Sequence, residues 1–241
     1  MRRSLATAAK LILGGVTIAL TGAGASTESG IPDFRGRNGL WARFDPLEYG
    51  TLGAFRRDPE KVWGMLSELL EIVDARPNAG HLALAKMEEA GLLAGIITQN
   101  IDGLHEKAGS RNVVPFHGSL DTFTCPGCGG SFSLAGVREM RLPPRCDCGN
   151  ILKPDIVFFD ERIPAEALAR TEELIEQADV LIVAGTSCRV APASSIPHLV
   201  SRRGGGIIEV NREPVLEGLA DVVLAGNFAA IMPALAAALD L

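Results

Sequence analysis

Five short apolar runs, separated by segments with helical spacing, constrain the fold of this chain more than any other feature. Each run is rich in Val, Ile and Leu and is bounded by Gly, Pro or Asn; the runs are residues 16–20, 94–98, 155–159, 180–185 and 206–210. Strands that are apolar throughout and alternate with helices are typical of a parallel sheet covered on both faces. We therefore predict an α/β fold with a Rossmann-like, doubly wound parallel sheet, which binds ligands at the carboxyl ends of its strands.

The segments between these runs carry signals for helix ends. Over residues 78–90, Asn78 is suited to cap the first turn, and Gly91 is suited to close the last in a left-handed conformation. A second helix is predicted over residues 164–177, with Pro164 at its first helical position.

The N-terminus and the net charge argue against a secreted, membrane-spanning or nucleic-acid-binding protein. Arg2, Arg3 and the apolar stretch 11–20 imitate a secretory signal, but cleavage there would destroy the glycine turn that follows. The stretch is also too short to span a membrane, so we expect a helix, a turn and a buried strand. A formal net charge of −6 argues against nucleic acid, which requires clustered Lys and Arg. We expect a cytoplasmic protein without a specific nucleic-acid or membrane partner.

Four of the five cysteines lie close together in a stretch without apolar periodicity. Cys125, Cys128, Cys146 and Cys148 form two knuckles, and four thiolates satisfy tetrahedral Zn²⁺ without leaving a ligand position open. The predicted zinc site is therefore structural. The alternative of two disulfides conflicts with a reducing compartment. Cys188 stands apart and is interpreted as a small apolar residue.

The cysteine stretch also divides the chain. With 241 residues, of which 47% are hydrophobic, the chain is large enough for one main core that carries an insertion. We predict a small zinc-ribbon module at 121–149, inserted into a Rossmann-like large domain formed by 1–120 and 150–241. A helical insertion near 40–75 would join the small module.

A glycine-rich turn follows the first apolar run. Gly22, Ala23 and Gly24 let the backbone approach a ligand, and amides at the next helix start can hold a pyrophosphate. Thr27, however, stands where the dinucleotide fingerprint has its third glycine, so an ordinary strand-to-helix turn explains the motif about as well. The irregular loop 28–36 is either a functional loop or a solvated one.

Polar side chains follow three further apolar runs. At the ends of parallel strands they indicate contacts with the phosphate or ribose of a ligand. Each group alone is ordinary turn chemistry, and an Asp after the second run can simply cap the next helix. The side chains are Gln99, Asn100 and Asp102; Thr186 and Ser187; and Asn211 and Glu213.

His117 ends a short apolar run just before the cysteine stretch. Imidazole titrates near neutral pH, so a partly exposed histidine can accept a proton from a hydroxyl group. An isolated histidine is more often structural, which is how we interpret His81 and His198 within their helical patterns.

Taken in order, six motifs resemble the sirtuins. They are Gly22-Ala23-Gly24 with Gly30-Ile31-Pro32-Asp33-Phe34-Arg35, Gln99-Asn100-Ile101-Asp102, His117-Gly118, the four cysteines, Gly185-Thr186-Ser187, and Asn211-x-Glu213. The likeness runs from about Thr21 to Phe228. It implies an NAD-dependent protein-lysine deacylase that converts NAD⁺ and an acyl-lysine protein to nicotinamide, O-acyl-ADP-ribose and free lysine.

The resemblance also implies roles for individual residues. His117, Asn100 and Asp102 would be catalytic, and His117 would take a proton from a ribose hydroxyl. The acylated protein would lie along Val157, Phe158, Phe159 and Val190. The residues implied to bind NAD⁺ are Gly22, Ala23, Gly24, Ser26, Thr27, Ile31, Asp33, Phe34, Arg35, Trp41, Gln99, Asn100, Ile101, Asp102, Gly185, Thr186, Ser187, Asn211, Glu213 and Phe228.

Two positions bear on substrate choice. Asp160 stands where relatives have Gly, which would alter the turn or favour basic residues beside the target lysine. Leu66 and Leu69 align with the Tyr and Arg that bind the acyl carboxylate in relatives that remove succinyl or malonyl groups. A carboxylate in an apolar pocket without a cation costs several kcal/mol. We therefore expect acetyl or longer apolar acyl groups.

Two other functions use parts of the same pattern. A protein mono-ADP-ribosyltransferase would use the NAD⁺ site and pass ADP-ribose to a protein nucleophile. A non-catalytic zinc-ribbon binding module would explain the cysteines but not the polar strand ends. The expected partners are acylated-lysine proteins, and the chain is expected to act as a monomer.

Overall fold

The computed structural model describes residues 1–34, 36 and 39–241. The strands are β1 (Thr17–Thr21), β2 (Gly95–Thr98), β3 (Val113–Pro115), β4 (Gly118–Thr124), β5 (Ser131–Ser133), β6 (Lys153–Ile156), β7 (Val180–Ala184), β8 (Gly206–Val210) and β9 (Val222–Val223). The helices are α1 (Arg2–Leu13), α2 (Pro46–Tyr49), α3 (Leu52–Arg57), α4 (Pro59–Leu69), α5 (Ala79–Glu89), α6 (Leu104–Lys107), α7 (Leu134–Arg138), α8 (Ala165–Gln177), α9 (Ile196–Arg202) and α10 (Phe228–Ala237). Short 3₁₀ helices cover Ala23–Ala25, Thr27–Ser29, Leu40–Ala42, Leu70–Asp74 and Ala193–Ser195.

The large sheet has the order β3-β2-β1-β7-β8-β9, and all of its strand pairs are parallel. Strands β1, β2 and β7 are buried along their whole length, as continuous apolar runs require. The strand order reverses direction between β1 and β7, and a ligand crevice is expected outside the carboxyl ends at such a point. The predicted doubly wound α/β fold is confirmed.

One predicted strand belongs to a different sheet. The run at 155–159 was expected in the parallel sheet, but the strand observed is β6, which lies in an antiparallel sheet of order β5-β4-β6. Its residues alternate between half-buried Lys153 and Asp155 and buried Pro154 and Ile156. This period of two is typical of a sheet with one solvated face, so the prediction was wrong about the sheet.

The helical segment after the first strand packs on the cysteine stretch. Trp63 of α4 donates its indole N–H to the carbonyl of Leu152 at 2.8 Å, and its ring stacks on Phe123 of β4. On the surface, Arg138 of α7 forms a two-pronged ion pair with Asp74, at 3.0 and 2.8 Å. A second apolar core therefore joins helices α3 and α4 to strands β4 and β6. The proposed domain boundaries stay a prediction.

The predicted helix ends are largely confirmed. Asn78 accepts a hydrogen bond from the Gly80 amide at 2.9 Å at the start of α5, and Gly91 has a φ of +74° just after it. The expectation for Pro164 was wrong by one residue: it caps α8 with an extended backbone, and the helix begins at Ala165.

The N-terminal segment folds as expected into α1, a turn and the buried strand β1. Ala8, Ala9 and Ile12 of α1 are buried against the main core. No helix among the residues that the structure describes is long and apolar enough to cross a membrane.

Candidate active site

A cleft of about 1030 Å³ lies at the carboxyl edge of the large sheet, with a small side pocket beside it. Ligand sites are commonly of this size or smaller. Every predicted catalytic, cofactor or substrate residue within the described ranges lines the cleft or its side pocket. Ser26, Ile31 and Asp102 line the side pocket only, and the others line the cleft. Arg35 lies outside the described residues.

The glycine turns after β1 and β7 hydrogen-bond to each other at the point where the strand order reverses. The Gly24 amide donates to the Gly185 carbonyl at 2.8 Å, and the Gly22 amide donates to that of Ala184 at 3.1 Å. Gly185 has a φ of +61°, and a Cβ there would lie 2.2 Å from the Ala25 nitrogen. A larger residue at either turn would push the strand ends apart. The two turns are thereby held against each other, and their glycines line the cleft without side chains.

Three polar side chains form a buried network at the side pocket. Ser26 donates to Asp102 Oδ2 at 2.7 Å, and the Asn100 amide donates to Ser26 Oγ at 3.0 Å and to the Gly22 carbonyl at 3.1 Å. Burial raises the pKa of the Asp102 carboxyl, although hydrogen bonds from the Leu104 amide and Ser26 oppose the rise. Asp102 Oδ1 also accepts from the amide of Leu104, the first residue of α6, at 3.0 Å, so Asp102 makes the predicted capping contact while lining the side pocket. The network fixes Asn100 and Asp102 before any ligand binds.

His117 is half-buried and faces the same cleft. Its Nδ1 lies 3.1 Å from the Gln99 carbonyl oxygen, which can only accept, so Nδ1 carries the hydrogen. Nε2 is then the unprotonated nitrogen. Burial lowers the pKa of His117, although the hydrogen bond to Gln99 opposes this effect. The lowered pKa keeps Nε2 unprotonated at physiological pH. The site thus holds a base of fixed tautomer.

The residue after His117 must be glycine. Gly118 has a φ of +74°, and a Cβ at this position would lie 2.0 Å from the Asp155 carbonyl oxygen of β6. The His117 carbonyl accepts from the Val157 amide at 2.8 Å. Strand β6 is thereby tied to the base.

At the other end of the cleft, polar side chains bind the backbone. The Asn211 side chain accepts from the Thr186 amide at 3.1 Å and donates to the Thr186 carbonyl at 3.2 Å. Gln99 donates to Thr186 Oγ1 at 3.0 Å, which connects the ends of β2 and β7. Ser187 and Glu213 are exposed and line the cleft.

Sequence reasoning missed two residues that support the site. Glu209 is fully buried and accepts hydrogen bonds from the amides of Val215 and Leu216 and from Asn211. An acid inside an otherwise apolar strand was the available signal. Asn78 was recognised only as a cap, yet it also donates to the Ala25 carbonyl at 2.8 Å and to Ser29 at 3.1 Å, holding the glycine turn from behind.

An aromatic and aliphatic wall surrounds the cleft beside His117. Phe34, Trp41 and Phe159 follow one another with ring centroids 5.5 and 6.0 Å apart. Met65 and Leu69 of α4 line this wall. Of the two positions aligned with an acyl-carboxylate site, Leu69 lines the cleft, whereas Leu66 is buried in the second core.

The segment after β6 runs along the edge of the cleft. The Phe159 amide donates to the Gly50 carbonyl, and the Leu52 amide donates to the Phe159 carbonyl, both at 2.9 Å. Asp160 has a φ of +67°, so the turn that glycine would favour is kept. Lys153 forms an ion pair with Glu161 at 3.1 Å, and Glu161 accepts from the Phe158 amide at 3.0 Å. Asp160 therefore keeps the backbone conformation expected for glycine at this position and adds an exposed carboxylate at the edge of the cleft.

The four predicted metal ligands come together away from the cleft. Their sulfur atoms all lie within 4.8 Å of one another. The Cys125 and Cys148 sulfurs are 3.4 Å apart, and those of Cys128 and Cys146 are 3.5 Å apart. A disulfide would need about 2.05 Å, whereas tetrahedral Zn²⁺ with bonds of about 2.3 Å would set its thiolates about 3.8 Å apart. The cluster fits zinc and not disulfides.

With this geometry in place, comparisons with known proteins decide the family. Residues 22–192 match the Sir2 family. The chain belongs to the Sir2 family. Among Sir2 relatives, the NAD-dependent protein deacylase 1 of Archaeoglobus fulgidus is 48% identical over 218 residues, covering 89% of each chain. The NAD-dependent protein deacylase of Thermococcus kodakarensis is 46% identical, over 90% of this chain and 88% of the relative.

Solved Sir2 structures have the same fold. A Sir2 homologue in complex with NAD is 44% identical and superposes with a TM-score of 0.90, covering 97% of this chain and 93% of the other. A Sir2 protein with a deacetylated p53 peptide and 3′-O-acetyl-ADP-ribose is 33% identical, with a TM-score of 0.89 over 94% and 95% of the two chains. The resemblance to the sirtuins, predicted from six motifs, is confirmed.

Proposed function

We propose that this protein is an NAD-dependent protein-lysine deacylase that converts NAD⁺, an acyl-lysine protein and water to nicotinamide, O-acyl-ADP-ribose and free lysine. The observation that carries the proposal is His117, a base whose Nδ1 is tied to Gln99 and whose neutral Nε2 faces a cleft lined by four strand ends. The acyl group passes to ADP-ribose, so the reaction is a transfer rather than a simple hydrolysis.

The two ends of the cleft suit different parts of NAD⁺. Gly22, Gly24 and Gly185 line the cleft without side chains, so a pyrophosphate could approach the backbone closely there. Asn211 and Glu213 offer hydrogen-bonding groups for the hydroxyls of the adenosine ribose, and Phe228 offers an apolar face. The Asn100 and Asp102 network lies at a side pocket suited to an amide-bearing ring. These residue types in this arrangement fit the dinucleotide.

NAD⁺ supplies an electrophilic ribose carbon with nicotinamide as its leaving group. His117 would accept a proton from a ribose hydroxyl, which makes that oxygen a nucleophile toward the acyl carbon. Asn100 and Asp102 would hold the nicotinamide end, since their hydrogen bonds already fix them. A base positioned within hydrogen-bond reach commonly contributes about 10² to 10⁴ in rate.

The acyl-lysine would lie along residues 157–159, with Val190 on the facing side, because these residues line the cleft. The wall of Phe34, Trp41, Met65 and Leu69 would surround the acyl group. Because this wall is apolar, an acyl carboxylate would lose its hydration there without gaining a cation. The substrates are therefore uncharged acyl groups, acetyl or longer.

The cysteine module would hold structural Zn²⁺. Four thiolates complete a tetrahedral shell, so the metal shapes the module and takes no part in the reaction. We place the enzyme in the cytoplasm, where thiolates stay reduced. It would act as a monomer on acylated-lysine proteins, without a specific nucleic-acid or membrane partner.

The experiment is a panel of lysine peptides that carry acetyl, butyryl, octanoyl and succinyl groups, assayed for nicotinamide release with and without NAD⁺. We expect NAD⁺-dependent turnover of the uncharged groups, equal amounts of nicotinamide and O-acyl-ADP-ribose, and at least a tenfold lower rate for succinyl. ADP-ribose attached to protein without O-acyl-ADP-ribose would instead identify a mono-ADP-ribosyltransferase. Efficient desuccinylation would contradict the assignment of the acyl group.

A further inference from the structure

Arg212 connects three segments at the rim of the cleft. It follows Asn211 at the carboxyl end of β8 and forms an ion pair with Glu28. Its Nη2 also lies 3.4 Å from Thr27 Oγ1, and its Nε donates to Asn227 Oδ1 at 2.7 Å. Thr27 and Glu28 belong to the 3₁₀ helix after the glycine turn, and Asn227 caps α10. One side chain therefore joins three loops that are distant in sequence.

These three loops form the Asn211 end of the cleft. Thr27, Arg212, Glu213, Gly226 and Phe228 all line it. The Gly226 amide also donates to the Asn211 carbonyl at 2.9 Å, which ties the loop before α10 to the end of β8. The shape of this rim thus depends on contacts made by residues 211 and 212.

The two partners of the Glu28–Arg212 ion pair differ in how far they are exposed to solvent. The Arg212 side chain is 61% exposed, whereas that of Glu28 is 21% exposed. One carboxylate oxygen of Glu28 is buried and has no hydrogen-bond partner among the described residues. An exposed guanidinium without its partner stays hydrated, but a largely buried carboxylate without its partner is costly. Loss of Arg212 is therefore the more damaging of the two.

We propose that Glu28 and Arg212 form a latch that positions the adenosine-binding rim. Both are positioning residues: they hold Thr27, Asn211 and Phe228 in the arrangement that receives the adenosine half of NAD⁺. The inference rests on the proposed use of NAD⁺ and adds two residues to which neither the motifs nor the comparisons give a role. Because neither Glu28 nor Arg212 hydrogen-bonds His117, Asn100 or Asp102, the latch governs cofactor affinity and leaves the chemical step unchanged.

A direct contact between Arg212 and a cofactor phosphate is the competing explanation, and it predicts the opposite sign for one variant. Under that explanation Glu28 competes for the guanidinium, so Glu28→Gln would tighten cofactor binding. Under the latch, Glu28→Gln loosens the rim and weakens binding. The double variant also distinguishes them, because removing both partners removes the uncompensated carboxylate that Arg212→Ala leaves behind.

The test measures ADP-ribose binding by titration calorimetry and NAD⁺ kinetics with a saturating acetyl-lysine peptide. Exposed ion pairs contribute little, so we expect Arg212→Ala to raise the Kd for ADP-ribose and the KM for NAD⁺ about fivefold. Glu28→Gln should raise both about twofold, and the double variant should resemble Glu28→Gln. All three should keep kcat within about twofold of the wild type.

Arg43→Ala is the matched control, since Arg43 forms an exposed ion pair with Glu68 at 2.5 Å away from the cleft. It should change neither constant. Tighter binding in Glu28→Gln, wild-type binding in Arg212→Ala, or an equal effect of Arg43→Ala would each overturn the latch. ADP-ribose binding needs no turnover, so a wild-type protein that releases no nicotinamide would refute the proposed function while the latch is still tested.

Discussion

The two ends of the cleft are built differently. At the His117 end, Ser26, Asn100 and Asp102 are 1%, 6% and 7% exposed and bind one another. At the Asn211 end, Thr186 and Asn211 bind backbone groups, while Ser187, Arg212 and Glu213 are exposed. Buried polar groups that are fixed by one another can stabilise charge as a reaction proceeds. Exposed groups on a braced loop suit binding. Under the proposed function, chemistry would occur at the His117 end and cofactor affinity would be set at the Asn211 end.

The largest effect is expected from loss of zinc, because the second core joins Cys125 to Ile101 and Phe158 at the His117 end. Structural zinc binding is coupled to folding. We expect Cys125→Ser to lower zinc content and to reduce deacylation at least a hundredfold, with ADP-ribose binding at the Asn211 end kept within about tenfold. Zinc analysis and calorimetry check this. Cys188→Ser should keep its zinc, and equal loss of both activities in Cys125→Ser would contradict the separation of the ends.

A matched pair of acid-to-amide variants tests the comparison more finely. Asp102→Asn changes the His117 end, so we expect kcat to fall about 10- to 100-fold with little change in the Kd for ADP-ribose. Glu209→Gln disturbs the partner of Val215, Leu216 and Asn211, so it should raise the KM for NAD⁺ and spare kcat. Steady-state kinetics separates the two. A change in the same constant in both variants would contradict the separation of the two ends.

The pH dependence separates turnover from stability. Because burial lowers the pKa of His117, this base stays neutral to a lower pH than an ordinary histidine, so the acid-side fall in kcat should be centred below pH 6.5. His81, buried between His105 and Phe228, has a pKa lowered by burial to about 4. As pH falls, His81 is protonated in the unfolded chain before it is protonated in the folded protein, because its pKa is lower in the folded protein. Its stabilising effect is thus complete above pH 6.5 and lost between pH 6.5 and 4.

Denaturant unfolding at several pH values checks the second part of this prediction. Since each unit of pKa difference is worth about 1.4 kcal/mol, protonation of His81 should account for up to about 3 kcal/mol of the unfolding free energy lost as pH falls from 6.5 to 4. A His81→Asn control should flatten that slope. Unfolding free energies that do not change from pH 7 to 5 would contradict the prediction.

The smallest effect is expected at Asp160, on the edge of the cleft. Glycine adopts a left-handed backbone without strain, which stabilises the folded state, but it also raises the conformational entropy of the unfolded chain. Because these effects oppose one another, Asp160→Gly should change the unfolding free energy by less than about 1 kcal/mol. The wild type should prefer peptides with basic neighbours by about two- to threefold, and Asp160→Gly and Asp160→Asn should lose that preference. Equal turnover of acidic and basic peptides by the wild type would refute the charge hypothesis.

Much of the fold could be predicted because its signals are local. Apolar runs place β1, β2, β7 and β8 to within about a residue, and Asn78 marks the start of α5, whereas the short edge strands β3 and β9 were not predicted. The run at 155–159 was assigned to the wrong sheet, because the pairing of β6 with β4 is a long-range contact that the apolar run does not reveal.

The candidate site was predictable where residues follow strand ends, as Asn100 and Asn211 do. The residues that support the site from behind could not be predicted from the sequence. Glu209 lies inside an apolar strand, and its three hydrogen bonds depend on how the loop after β8 folds back. The latch between Glu28 and Arg212 joins residues 184 positions apart, and no local pattern reveals such a pair.

The central claim is that His117 acts on the ribose after nicotinamide has left. The most direct measurement compares nicotinamide exchange with deacylation in His117→Ala: labelled nicotinamide entering NAD⁺ in the presence of an acetyl-lysine peptide, and the release of free lysine. We expect exchange to persist within about tenfold of the wild type while deacylation falls about 10²- to 10⁴-fold, with ADP-ribose binding intact. Deacylation close to the wild-type rate, or an equal loss of both reactions in a variant that still binds ADP-ribose, would contradict this role.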